Sequence, residues 1–136
     1  MNAQQPRFTH TRDDAGNILT VIDATTGLEF TALPLLGKRL TQRQAVSAAK
    51  KCRIGGHKDW ALTSRQQLLS IVDLSRHSPA IDTNAFPNFP SVWFWTSDLC
   101  AWSSASAWGV SFSYGNVGGN HRGHGGFALA CRRSGQ

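Results

Sequence analysis

Four of the chain's five tryptophans, Trp93, Trp95, Trp102 and Trp108, fall within sixteen residues. This concentration constrains the fold more than any other feature. Two segments there carry strand patterns: "VWFWTS" and "AWGVSFSYG", the second placing Trp108, Val110, Phe112 and Tyr114 on alternate positions. Neighbouring strand residues face opposite sides, so Trp93, Phe94 and Trp95 cannot all point one way. The expectation is Trp95 inside and Phe94 on the other face, against a proline-rich loop. So much aromatic mass needs a sheet with apolar material close by.

Upstream, "NILTVID" (17–23) and "LEFTALP" (28–34) read as paired strands around an "ATTG" turn. Thr41 with Gln44 three residues on forms a capping box for a helix ending at Gly55-Gly56. Ala45, Ala48, Ala49 and Cys52 give that helix a small-residue face. Ser64 and Gln67 repeat the box for a second helix, "RQQLLSIVDLS", with Leu68, Ile71 and Val72 as its apolar face. Residues 76–91 hold three prolines but also Ile81, Phe86 and Phe89, so an ordered loop is expected. "GFALACRR" (126–133) reads as a closing strand. Strands, two helices, then strands again indicate an α+β fold: two helices on an antiparallel sheet, with long ordered loops. The expected division is a flexible leader at 1–16 and a single domain at 17–136.

The net charge of +6 favours acidic partners or nucleic acid, although the basic residues are scattered. The densest clusters are Lys50-Lys51-Arg53 and Arg132-Arg133. The first residues lack an apolar signal core and no stretch is long enough for membrane insertion, so a cytoplasmic protein is expected. Three widely spaced cysteines make no zinc pattern.

The residues 113–126, "SYGNVGGNHRGHGG", contain six glycines and no acid. His121 and His124 are too few and too close for a metal site, and the glycines fit no phosphate-loop frame. No metal or cofactor is expected. Two readings remain open: a solvated hairpin, or a display surface whose Asn, His, Arg and Tyr contact a ligand. The candidate ligand-binding residues are Tyr114, Asn116, Asn120, His121, Arg122 and His124. Trp102 joins them either as an exposed anchor or as a loop-stapling core residue. Trp60 is expected in the core between the second helix and the sheet, and Asp59 to pin a loop through backbone N–H groups.

The ordered series "TVIDATTGLEF", "GGHKDWALTSRQQLLSIVD", "PAIDTNAFPN", "FWTSD", "AWGVSFSYGNV" and "ALACRR" resembles a bacterial and phage family. That family includes the C-terminal domain of the Lcl collagen-like adhesin. The resemblance implies a C-type-lectin-like fold, related to formylglycine-generating enzymes and to retroelement variable proteins. In such folds a first-helix cysteine often lies beside one on the last strand, which implies proximity of Cys52 and Cys131. The absent signal argues that they stay reduced. Phe30, Ala61 and Thr63 depart from the family's usual Trp, Arg and Pro, so polar details differ while the apolar skeleton stays. The retroelement relatives carry variable residues just before the last strand, where the glycine-rich stretch stands.

The function expected is a non-enzymatic binding module, of a size that suits a phage or prophage product. Its partner would be a protein, or alternatively a glycan. One form is a small intracellular inhibitor of a host or defence machine. A basic nucleic-acid binder is a further alternative. An enzyme of the formylglycine type is disfavoured, because only Cys100 and Cys131 stand where its cysteine pair would be.

Overall fold

The computed structural model describes residues 6–135. The described residues form eight strands, in two antiparallel sheets, and two α-helices. Strand β1 is Phe8–Arg12, β2 Ile18–Asp23 and β3 Leu28–Thr31. Helix α1 (Gln42–Lys51), the short strand β4 (Ala61–Leu62) and helix α2 (Arg65–Leu69) come next. They are followed by β5 (Trp93–Cys100), β6 (Ser103–Ser111), β7 (Asn116–His121) and β8 (Ala130–Arg133). One sheet runs β1-β2-β3-β8-β4 and the other β5-β6-β7. The architecture is α+β.

Both helices start where their capping boxes stand. The Thr41 hydroxyl accepts from the Gln44 N–H while the Gln44 side chain accepts from the Thr41 N–H, and Ser64 with Gln67 does the same. Helix α2 ends at Leu69, short of the expected 65–75. Its continuation tightens into three-residue turns, with Ile71 and Val72 N–H groups donating to the Leu68 and Leu69 carbonyls. Asp73 then accepts from the Ser75 N–H, an Asx-turn that ends the helical path.

Residues 8–12 were expected within a flexible leader, and they form β1 instead. Arg7 fixes them: its guanidinium donates twice to the Asp23 carboxylate, at 2.9 Å each, and to the Ser70 carbonyl at 2.7 Å. The part of the expected leader at 1–5 lies outside the described residues.

The two sheets join through residues 126–127. Phe127 bridges Phe94, Trp95 N–H donates to the Phe127 carbonyl, and Phe127 N–H to the Trp93 carbonyl, both at 2.8 Å. The closing strand expected over 126–133 is regular only from Ala130, because residues 126–129 thread between the Leu40 segment and β5. From 128 to 131 every residue is buried, so the segment shows no in-out alternation.

Two apolar clusters result. The first gathers Val21, Phe30, Leu68, Ile81, Phe86, Phe89, Phe94, Phe112 and Leu129. The long proline-rich loop belongs to it, and Phe89 stacks on Phe94 with ring centres 5.0 Å apart. The second gathers Leu35, Leu40, Ala45, Ala49, Cys52, Trp60 and Trp95. Trp95 is inside and donates its indole N–H to the Leu40 carbonyl at 2.9 Å. Trp60 is also buried, but against the small face of α1 rather than α2, and its N–H goes to the Ile54 carbonyl. The three thiols are free and buried. Cys52 lies in the second cluster and Cys131 in the first, so the proximity implied by the resemblance does not appear as a shared packing site.

Asp59 takes up Arg132 in addition to its own backbone N–H. Arg132 Nε donates to Asp59 at 2.6 Å and Nη1 to the buried Glu29 at 2.6 Å. Arg132 is therefore a core residue and no part of a basic surface.

Candidate functional site

The middle of the glycine-rich stretch is a strand. Asn116–His121 pair with β6 from Ser111↔Asn116 to Ser106↔His121, and β7 forms the outer edge of its sheet. The turn lies at 112–115, so the strand expected to run through Tyr114 stops at Ser111. Gly115 N–H closes it onto the Ser111 carbonyl, and Gly115 adopts φ +84°, a conformation open to glycine. Tyr114 thus leaves the strand alternation and stands 69% exposed, stacked on His77 with ring centres 6.0 Å apart.

Several glycines are present to admit tryptophan rings. A Cβ on Gly109 would lie 2.1 Å from the Trp93 ring, and one on Gly126 2.7 Å from it. On the opposite face of β7, a Cβ on Gly119 would lie 3.0 Å from Cys100 Sγ and 3.4 Å from the Trp102 ring. Backbone without side chains is what these indoles pack on.

Trp102 is 68% exposed. It stands on the surface and is not a loop staple buried in the core. Its ring meets Trp108 edge-to-face, centres 5.3 Å apart, and the Arg65 guanidinium lies over Trp108 at 5.0 Å. Trp108 pairs with Gly119, so Trp102, Trp108 and Gly119 share one face, and His121 follows two positions along it, about 7 Å away. The Arg65 N–H donates to Asp98 at 2.6 Å, so the acid of this region is already engaged at the start of α2.

At the far end of β7, Arg122 ties the turn to α1. Its Nε donates to Gln42 Oε1 at 2.8 Å, and its carbonyl accepts the Gln42 N–H at 2.9 Å. The guanidinium also reaches the Ser104 carbonyl at 3.3 Å. Arg122 therefore holds the turn against α1. It lines a concavity of about 300 Å³ with Thr41, Arg43, Ala105, His121 and Gly123. His121 and His124 are exposed, with ring centres 5.8 Å apart. His121 Nδ1 accepts the Gly123 N–H at 3.0 Å, which leaves the proton of a neutral ring on Nε2. Among the described residues no group of three or more His, Cys, Asp or Glu is placed to hold a metal ion.

The structure therefore divides the expected residues. His121, Arg122 and His124 gather at the end of β7 next to α1, and Trp102 lies over Gly119, two positions before His121. Tyr114 and Asn116 lie at the opposite end of the hairpin, and alternation puts Asn116 and Asn120 on the face away from Trp102. Sequence reasoning did not include Arg43 and Arg65 in the site. Arg43 sits just inside a capped helix, and the Gln42–Arg122 contact brings that end to β7.

A family model described as "Lcl C-terminal domain" matches residues 19–132. No curated protein matches the chain. No helix among the described residues is long and apolar enough to cross a membrane.

Proposed function

Because the chain belongs to the Lcl C-terminal domain family, we propose that it is a non-enzymatic binding module that holds a protein partner on the Trp102 face. The single observation that carries this reading is the exposed Trp102, laid across Gly119 and braced by Trp108. A tryptophan left in water on a rigid sheet offers large contact area at little entropic cost, and such residues dominate interface energies.

The surroundings favour an acidic partner. Arg65 lies over Trp108 on this face, Arg43 and Arg122 line the concavity at the His121 end of β7, and Asp98 is held by the Arg65 N–H. The partner would place an apolar group on Trp102 and carboxylates towards the arginines. A phage-encoded inhibitor that blocks one host protein stoichiometrically is one form of this activity, and an adhesive module is another. Carbohydrate is the second reading, supported by the same open indole face.

The experiment is capture from bacterial lysate on the immobilised chain, with wild type beside a Trp102→Ala, His121→Ser variant. Both positions are exposed, so the variant keeps its fold. Loss of one stoichiometric protein supports the reading. Identical captured proteins with both baits would overturn it.

A further inference from the structure

Beside the C-terminal half of α1 lies a second concavity of about 470 Å³. Its wall is aliphatic: Ile18, Leu33, Pro34, Leu36, Ala48 and Ile54. The volume falls in the range of small-molecule sites. Two observations set it apart from ordinary surface. Leu36 is 70% exposed and Leu33 50% exposed, side by side in one groove. Leu36 also sits at φ +60°, a left-handed conformation that strains a branched side chain. A strained backbone that holds an apolar side chain in water resembles the clamps found at ligand sites.

The rim is cationic. Lys51 and Arg53 line the groove, Lys50 adjoins them, and no acidic residue lines it. Arg53 Nη1 donates to the Lys50 and Cys52 carbonyls at 2.9 and 2.8 Å, which fixes the guanidinium at the end of α1.

We propose that this groove binds a single-chain amphiphile with an anionic head, a long-chain carboxylate. The head would meet Lys51 and Arg53, and the chain would lie along Leu33, Leu36 and Ala48. A peptide fits less well. The groove's own backbone is already engaged: Ala32 N–H with the Leu19 carbonyl, Leu35 N–H with Ala128, and the Pro34 carbonyl with Gly37 N–H. A peptide strand would find few partners for its amides there, whereas a polymethylene chain needs none.

The test titrates laurate, below its aggregation concentration, into methyl-labelled protein followed by NMR, with dodecanol as the neutral counterpart. Saturable one-to-one shifts at the Leu33, Leu36, Ile18 and Ile54 methyls are expected, with laurate about tenfold tighter than dodecanol. Lys51→Glu should abolish that difference. Leu36→Gly relieves the left-handed strain, so it should weaken laurate about fivefold or more without lowering Tm, which separates loss of the site from loss of the fold. Equal affinity for the two ligands, shifts confined to other methyls, or full binding by Leu36→Gly would each overturn the proposal. Shifts that follow protein concentration without ligand would assign the groove to a second copy, and would overturn it as well.

Discussion

Gly109 and Gly118 face each other across β6 and β7, yet alanine at the two positions should have opposite effects. A Cβ on Gly109 would stand 2.1 and 2.3 Å from two Trp93 ring atoms and 2.7 Å from the Phe94 carbonyl oxygen. Ordinary carbon contacts are about 3.5–4 Å, so the ring must move by more than about 1 Å. Its retreat is blocked, because Trp93 packs edge-to-face on the fully buried Trp95. The carbonyl belongs to the strand and cannot yield alone. Overpacking of this kind costs about 3 kcal/mol, the upper part of its usual range. At about 3–4 °C per kcal/mol for a chain of this size, Gly109→Ala should lower Tm by roughly 10 °C. At Gly118 the added Cβ would be 3.7 Å from Trp93, an ordinary contact. Gly118→Ala should therefore be neutral or raise Tm by a few degrees, since it mainly restricts the unfolded chain by about 0.4–1 kcal/mol. Thermal unfolding of both variants, repeated in a Trp93→Ala background, reads the coupling directly. Equal effects at both positions, or an undiminished Gly109→Ala penalty without the indole, would refute the claim that these glycines make room for tryptophan.

Two further outcomes follow from the charges and thiols. Burial pushes the Asp23 carboxyl up, but hydrogen bonds from Arg7, Thr25 and Thr26 outweigh it and hold the group below the usual carboxylate value. A depressed folded value means that its contribution is present above the unfolded pKa of about 3.9 and is lost as pH falls through the folded one. Tm measured from pH 7 to pH 2 should hold until about pH 4 and then decline, and Asp23→Asn should flatten that decline; an unchanged acid limb would contradict the assignment. Burial also pushes the Cys131 thiol up to about 12. With all three thiols buried, Ellman's reagent at pH 8 should modify none rapidly in the native protein and all three in guanidinium. Fast reaction of Cys131 in the native state would overturn that burial.

Local signals were the most legible. The two capping boxes fixed where both helices begin, since three or four adjacent residues determine them. Opposite burial of Phe94 and Trp95, and the ordered loop with Phe86 and Phe89, followed from strand parity and apolar content. What the sequence hid depends on distant partners. β1 exists because Arg7 reaches Asp23 and Ser70, a contact no composition rule exposes. The glycine-rich stretch looked like loop because glycine is poor in strands, whereas here distant indoles make its missing side chains necessary. The site was legible in part. His121, Arg122 and His124 do share one end of β7, with Trp102 over Gly119, but Tyr114 left with the turn and the asparagines went to the other face. Arg43 and Arg65 joined only through tertiary packing.

The most direct test of the binding face is the affinity of Trp102→Ala for the captured partner, measured beside wild type by biolayer interferometry. An anchor of this kind is worth about 2 kcal/mol or more, so dissociation should be at least about 30-fold weaker at unchanged Tm. An affinity within twofold of wild type would contradict the account.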